Sequence, residues 1–253
     1  MTGLWTDAEL AAYRRDGFLV VRRLFDATET ARIRAWTDEV QAWPEVPGRW
    51  MVYGEPSLTE PGRRLINRLE NVYPYHGGFH ALFDGNQIRG RVSELLGEPA
   101  VLFKDKINFK LPGGGGFAPH QDQQAGWSAY AGLFVTALVA IDDATAENGC
   151  LELAAAQHVR GLIGAEWAPL TEAQMAGMRF EVVPTRPGDV VFFDSYVPHR
   201  SGPNLTPRAR RVLYVTYNRL LEGDHRERYY ADKRRSFPPD CEREPGREYV
   251  YRV

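Results

Sequence analysis

The sequence is poor in cysteine. Two residues in 253, Cys150 and Cys241, exclude both a disulfide framework and a cysteine-rich zinc module. Long apolar runs are also missing. The most apolar stretch, Leu133 to Ile141, carries Thr136 inside it and falls far short of the ~20 residues that span a bilayer. Met1 to Leu10 holds Asp7 and Glu9 and no apolar centre, unlike a secretory signal, so the chain is expected to be soluble and cytoplasmic, with no membrane partner. No excess of charge of either sign exists: the net charge is −2 and the pI about 6.3, which argues against a general nucleic-acid binder. Lysine is scarce, four against 27 arginines. What remains, 43% hydrophobic and 25% charged residues, is ordinary for a globular protein of a length that buries a core without staples.

The pattern along the chain changes character near residue 100. Before it, Thr6 can cap a helix carrying Leu10 and Tyr13 that Gly17 stops, Phe18 to Val21 reads as a short strand, and Asp26 can cap a helix with Ile33, Trp36 and Val40 on one face. Trp43 to Gly62, rich in Pro and Gly, reads as a loop. Asn86 to Leu96 reads as a helix stopped by Gly97. After residue 100, strands are expected at Val101–Phe109, Leu133–Ile141, Cys150–Leu153, Phe180–Val183, Val190–Phe193 and Val212–Tyr217, separated by turn signals such as Asn148-Gly149 and Pro187-Gly188-Asp189, with a helix at Thr171–Met178. Helices first and strands later suggest one domain, mainly β with α: a helical part over about 1–98, a β-barrel core over about 99–220, and a polar extension over about 221–253 anchored by Tyr229, Tyr230, Phe237, Tyr249 and Tyr251.

The chemistry concentrates in His120-Gln121-Asp122. In an extended segment, residues i and i+2 share a face, so an imidazole and a carboxylate converge on one point. His199 follows the strand Val190–Phe193. Two histidines and one carboxylate make the facial triad of a non-haem Fe(II) centre, which leaves positions open for cosubstrate and oxygen. Arg210, at the start of the next strand, can grip a dicarboxylate in bidentate fashion. Strand alternation sends Arg210 and Arg211 to opposite faces, and the spacing favours Arg210 as the inward one.

These pieces, with Lys106-Ile107-Asn108-Phe109-Lys110, Asp143 to Leu151, Gln157-His158, Pro187-Gly188-Asp189 and His199-Arg200-Ser201-Gly202-Pro203-Asn204, resemble the phytanoyl-CoA dioxygenase family of Fe(II)/2-oxoglutarate-dependent oxygenases. The resemblance runs over roughly residues 100 to 217, in the family's order. It departs at Ala156-Gln157, where the family carries Gly-Ser before the histidine. It implies a double-stranded β-helix (jelly-roll) core flanked by N-terminal helices. It implies Fe(II) on His120, Asp122 and His199, with 2-oxoglutarate on Arg210 near Ser201 and Phe117. Asn108 is counted with that cosubstrate set. With O2, the implied reaction hydroxylates an unactivated C–H of a small molecule. The presence of Asp122 disfavours the halogenating variants, which replace it by a small residue. A 2-oxoglutarate-independent jelly-roll metalloenzyme and a non-catalytic metal- or ligand-binding barrel stay open beside this reading.

Other features carry weaker expectations. Gly113 to Gly116 lacks the Lys-Ser/Thr of a phosphate loop and reads as a mobile hairpin loop before the iron strand. His76 and His80 have the spacing of helical zinc ligands, but Gly77 and Gly78 between them make that helix poor. Trp127 and Tyr130 read equally as a substrate lid or as core. In Val101–Lys110 one face, Val101, Phe103, Asp105, Ile107 and Phe109, is expected to pack on the helices. The other holds Leu102, Lys104, Lys106, Asn108 and Lys110, among them three of the four lysines. That face is either a solvated edge or, with Gln123, Gln124, Trp127 and Arg200, the lining of a cavity for a small polar or anionic substrate such as a phosphonate or carboxylate.

Overall fold

The structure, a computed structural model, describes residues 3–250. Thr6 and Glu9 form a reciprocal cap on α1 (Asp7–Asp16), which ends at Gly17 with φ 81°. β1 (Phe18–Val21) follows, then α2 (Ala27–Gln41), capped in the same way by Asp26 and Glu29. The segment expected as a loop contains a strand, β2 (Met51–Pro56), paired with an unanticipated β3 (Arg64–Glu70). The prolines concealed it. β2 is the edge of its sheet, where a terminal proline costs no ladder bond, and Met51, Val52 and Tyr53 are all buried. The part before residue 98 is therefore not only helical.

A second unexpected element is α3 (Gly77–Asp84). His76 Nδ1 accepts from the Phe79 N–H at 3.1 Å, and Phe79 and Phe83, one turn apart, are fully buried. Tertiary burial outweighs the two glycines, and Gly78 is needed there, because a Cβ would lie 2.5 Å from the Trp36 ring. The expected helix at Asn86–Leu96 opens with one wide turn over Asn86–Gly90 and continues as α4 (Arg91–Leu96). Then come β4 (Ala100–Asn108), β5 (Phe117–His120), β6 (Phe134–Ala140), β7 (Leu151–Ala154), β8 (Phe180–Val183), β9 (Val190–Asp194), β10 (His199–Ser201), β11 (Val212–Arg219) and α5 (Arg226–Ser236). Thr171–Met178 forms turns instead of the expected helix.

All pairings among these strands are antiparallel. Seven strands form one sheet in the order β1-β9-β6-β11-β4-β3-β2, and four form a second in the order β5-β10-β7-β8. Leu138, Val191, Phe193, Val212 and Tyr214 of the large sheet pack on Leu151, Leu153 and Val183 of the small one. This is the double-stranded β-helix. The outer face of the large sheet buries Ile107, Val135, Val139, Phe192 and Val215 against Tyr13, Ile33, Phe79 and Val92 of the helices. Among the described residues, no helix is long and apolar enough to cross a membrane.

The face assignment of β4 needs one correction. The β11 register slips between Thr216, opposite Lys104, and Tyr217, opposite Leu102. This bulge at Phe103 flips the strand below it. Leu102 packs with the helix layer, whereas Phe103 packs with Trp127, Phe134 and Tyr229. From Lys104 onward the alternation holds.

The C-terminal extension docks through α5. Lys233 Nζ lies 2.5 and 2.7 Å from the oxygens of Glu70, and Arg68 Nε lies 2.8 Å from one of them. The Tyr230 hydroxyl donates to the Asp105 carbonyl at 2.9 Å. Tyr229, Tyr230 and Phe237 anchor it as expected; Tyr251 lies outside the described residues. Burial works against the Glu70 carboxylate, but Lys233, Lys104 and Arg68 outweigh it and hold its pKa far below 4.5. Glu70→Ala, which strips Lys233 of its buried partner, is expected to destabilise the fold by about 3 kcal/mol, measured by urea unfolding at pH 7. A depressed folded-state pKa means that this contribution is present above the unfolded value and lost as pH falls through the folded one.

Candidate active site

β5 and β10 are neighbours, and His120 and His199 are directly paired across them. Asp122 opens the short turn that follows β5. The three side chains each offer a ligand atom, all within 4.8 Å of one another, and no other such group of three exists among the described residues. The backbone sets the imidazole tautomers. His120 Nδ1 lies 2.7 Å from the Ala118 carbonyl and His199 Nδ1 lies 3.0 Å from that of Val197. Each Nδ1–H donates outward, so each Nε2 lone pair is left for a metal. Desolvation and then the proximity of His199 push the His120 pKa down to about 3, and desolvation lowers that of His199. Desolvation opposes the Asp122 charge, but His199, Lys106, His120 and Lys104 hold its pKa below the usual range. Two neutral imidazoles and one carboxylate fit a divalent iron.

Arg210 lies just before β11, is 1% exposed, and has no hydrogen-bond partner for Nε or Nη1. Its neighbour Arg211 turns outward, 2.7 Å from Asp142 and 2.5 Å from Asp38 of α2. A buried guanidinium with orphaned donors fits a bound carboxylate. Phe117, Asn108, Ser201 and Tyr214 line the cleft with the triad, Arg210 lies behind them against Tyr214, and Asn108 Oδ1 is buried without a partner. Tyr214 went unnoticed in the sequence; it shares the face of Arg210 four residues on, and alternation could have found it.

Lys104 and Lys106 project into the same cleft. The Lys106 ammonium sits 4.6 Å from the Tyr214 ring centre; burial and then Lys104 push its pKa down to about 8. Lys104 Nζ sits 5.5 Å from the Trp127 ring and 5.4 Å from that of Tyr229. Trp127 is both core and lining, 2% exposed against Phe103 and Phe134. Tyr130 instead donates to Asp232 of α5 at 2.7 Å.

Two expected lining residues, Gln123 and Gln124, are elsewhere. Gln124 Nε2 donates to the carbonyls of Ala165 and Ala168, and its Oε1 accepts from the Gln121 N–H; it fastens the 161–170 loop. Gln123 is fully buried and donates to Ser128 and the Ala131 carbonyl. Both belong to a turn that folds back on itself. Arg200 does line the cleft, but its guanidinium is engaged, 2.8 Å from Glu152 and over the Phe180 ring. The tetraglycine, expected as a mobile loop, is tied down: Gly113 N–H donates to Asn204, Asn204 N–H to Gly114, and Gly115 N–H to Glu55. Gly116 has no room for a side chain, since a Cβ would lie 2.5 Å from the Ser201 carbonyl oxygen. His76 is buried against Trp36 and Phe79, and His80 stacks on Tyr73; neither joins a metal-binding group.

A model of the phytanoyl-CoA dioxygenase family matches residues 13–212. The chain belongs to this family. With the triad in place, it is an Fe(II)/2-oxoglutarate-dependent dioxygenase. Among curated relatives, 2-aminoethylphosphonate dioxygenase of an uncultured bacterium is 41% identical over 246 residues, covering 97% of this chain and 94% of its own. Methylphosphonate hydroxylase of Gimesia maris is 42% identical over 235 residues, covering 92% and 88%. Among solved structures, EctD from S. alaskensis with 2-oxoglutarate and 5-hydroxyectoine superposes with a TM-score of 0.74 at 22% identity, covering 87% of this chain and 80% of that one; it supports the jelly-roll assignment.

Proposed function

We propose that this dioxygenase hydroxylates the carbon next to phosphorus in a small alkylphosphonate. The observation that carries the reading is the pair of ammonium groups, Lys104 and Lys106, facing the cleft beside the triad. Asp122, a proposed iron ligand, is the one carboxylate among the lining residues. A phosphonate, with up to two negative charges on three oxygens, complements two cations better than a carboxylate does. The names of the two relatives above point the same way.

Iron and 2-oxoglutarate, when bound, supply the oxidising chemistry. His120, Asp122 and His199 hold the metal on one side, and Arg210, Ser201, Asn108 and Phe117 hold the cosubstrate. Lys104 and Lys106 anchor the phosphonate, while Trp127, Ala125 and the turn after Asp122 keep water from the reacting C–H.

Succinate formation against a substrate panel tests this. Methylphosphonate, ethylphosphonate or an aminoalkylphosphonate is expected to stimulate 2-oxoglutarate turnover, with small carboxylates and acyl-CoA inert. Lys104→Ala and Lys106→Ala are each expected to raise the phosphonate KM by about 10-fold or more with little change in 2-oxoglutarate affinity. Stimulation by carboxylates or acyl-CoA alone would overturn the proposal.

A further inference from the structure

Beside Arg210 lies a buried lysine that no step above uses. Lys110 is 2% exposed. Its Nζ lies 2.7 Å from Ser201 Oγ, 2.6 Å from the Gly202 carbonyl and 3.3 Å from the Gly149 carbonyl. The main chain holds it at Arg210: the Lys110 carbonyl accepts from the Arg210 N–H at 3.2 Å and from Asn204 Nδ2 at 2.9 Å. The contact loops are tightly drawn, since a Cβ on Gly149 would lie 2.1 Å from the Gly202 oxygen.

We propose that Lys110 is a positioning residue of the cosubstrate pocket, whose ammonium fixes the direction of the Ser201 hydroxyl so that Ser201 and Arg210 present converging donors to the distal carboxylate of 2-oxoglutarate. This rests on the assignment of that carboxylate to Arg210. An ammonium group donates three hydrogen bonds and accepts none, and all three of its protons have acceptors here. In this charged form Ser201 Oγ accepts from Lys110, and its own proton is turned elsewhere. Ser201 lines the cleft, on the same face of β10 as His199, and the nearby Arg210 has no acceptor for Nε or Nη1. A neutral amine would reverse the polarity: its lone pair could take the Ser201 proton and turn the hydroxyl away from the cleft.

Charge follows the same logic. Desolvation and then Arg210 push the Lys110 pKa down to about 6, against Glu55 and Cys150, the other titratable groups that act on it. A carboxylate bound beside Arg210 cancels that repulsion and favours the ammonium. Cosubstrate binding is thus expected to take up a proton at neutral pH.

Anaerobic calorimetry of 2-oxoglutarate binding to the Fe(II)-loaded protein, in buffers of different ionisation enthalpy, tests this without turnover. At pH 7.5 the wild type is expected to take up between about 0.5 and 1 proton per cosubstrate, and Lys110→Met about none. Lys110→Met and Ser201→Ala are each expected to weaken binding by about 10-fold or more. Because the two act as one unit, the double variant is expected to bind within about 3-fold of the weaker single one. Multiplicative losses, or no proton uptake by the wild type, would overturn the proposal; the second result needs no variant that folds. Arg210→Ala separates the two levels. If it binds 2-oxoglutarate normally, the placement of the cosubstrate fails. If it binds weakly while Lys110 and Ser201 act independently, only the role of Lys110 fails.

Discussion

Alanine at any one of His120, Asp122 or His199 is expected to abolish turnover, with kcat/KM falling at least ~1,000-fold, because a three-ligand facial site has no spare donor. Fe(II) affinity, measured by anaerobic titration, is expected to fall with it. The loss is one of ligation and not of folding. The three side chains sit at the cleft, their backbones are held by the β5–β10 pairing, and alanine there removes no core contact of the size that unfolds a domain. Protons compete little with the metal at neutral pH, since desolvation and then His199 hold the His120 pKa near 3. Wild-type iron affinity in any of the three variants would remove that residue from the metal site.

The second large effect belongs to Arg210. Arg210→Ala is expected to raise the Kd of 2-oxoglutarate by about 30-fold or more, equivalent to ~2 kcal/mol for a desolvated charge-assisted pair, with Fe(II) binding unchanged. Arg210→Lys is expected to recover part of the loss, because an ammonium restores charge but not the planar fork. Arg211→Ala is the control. Its guanidinium ties Asp142 to Asp38 on α2, so it is expected to lower thermal stability and leave cosubstrate affinity alone. The reverse pattern would mean that the inward arginine is Arg211.

The parts of the fold that are local in origin were legible. Thr6 and Asp26 cap helices because their side chains answer backbone N–H groups three residues on. The apolar strands from β6 onward announce themselves by pattern. Elements whose cause lies elsewhere in the chain were not legible. β2 is extended because β3 pairs with it and a buried layer receives Met51 to Tyr53, against a local composition that favours a loop. α3 forms because Trp36 and the helix layer bury Phe79 and Phe83. The Phe103 bulge leaves no mark in an alternating strand.

The site divides in the same way. The grouping of His120, Asp122 and His199 and the inward turn of Arg210 were legible because residue type and strand spacing are local properties of the sequence. Gln124 could not be separated from the lining residues, since only the 161–170 loop, far along the chain, supplies the carbonyls that occupy it. Alternation puts Lys110 on one face with Lys104 and Lys106, but the strand ends at Asn108, and the contacts of Lys110 at Gly149, Ser201 and Gly202 are ones no local pattern reveals.

Product analysis under 18O2, with Fe(II), 2-oxoglutarate and methylphosphonate or the most stimulatory phosphonate of the panel, tests the substrate assignment most directly. One succinate is expected per hydroxylated phosphonate, with one labelled oxygen in each and the new hydroxyl on the carbon bonded to phosphorus. Succinate formed at the same rate with and without every phosphonate, and no labelled phosphonate product, would contradict it.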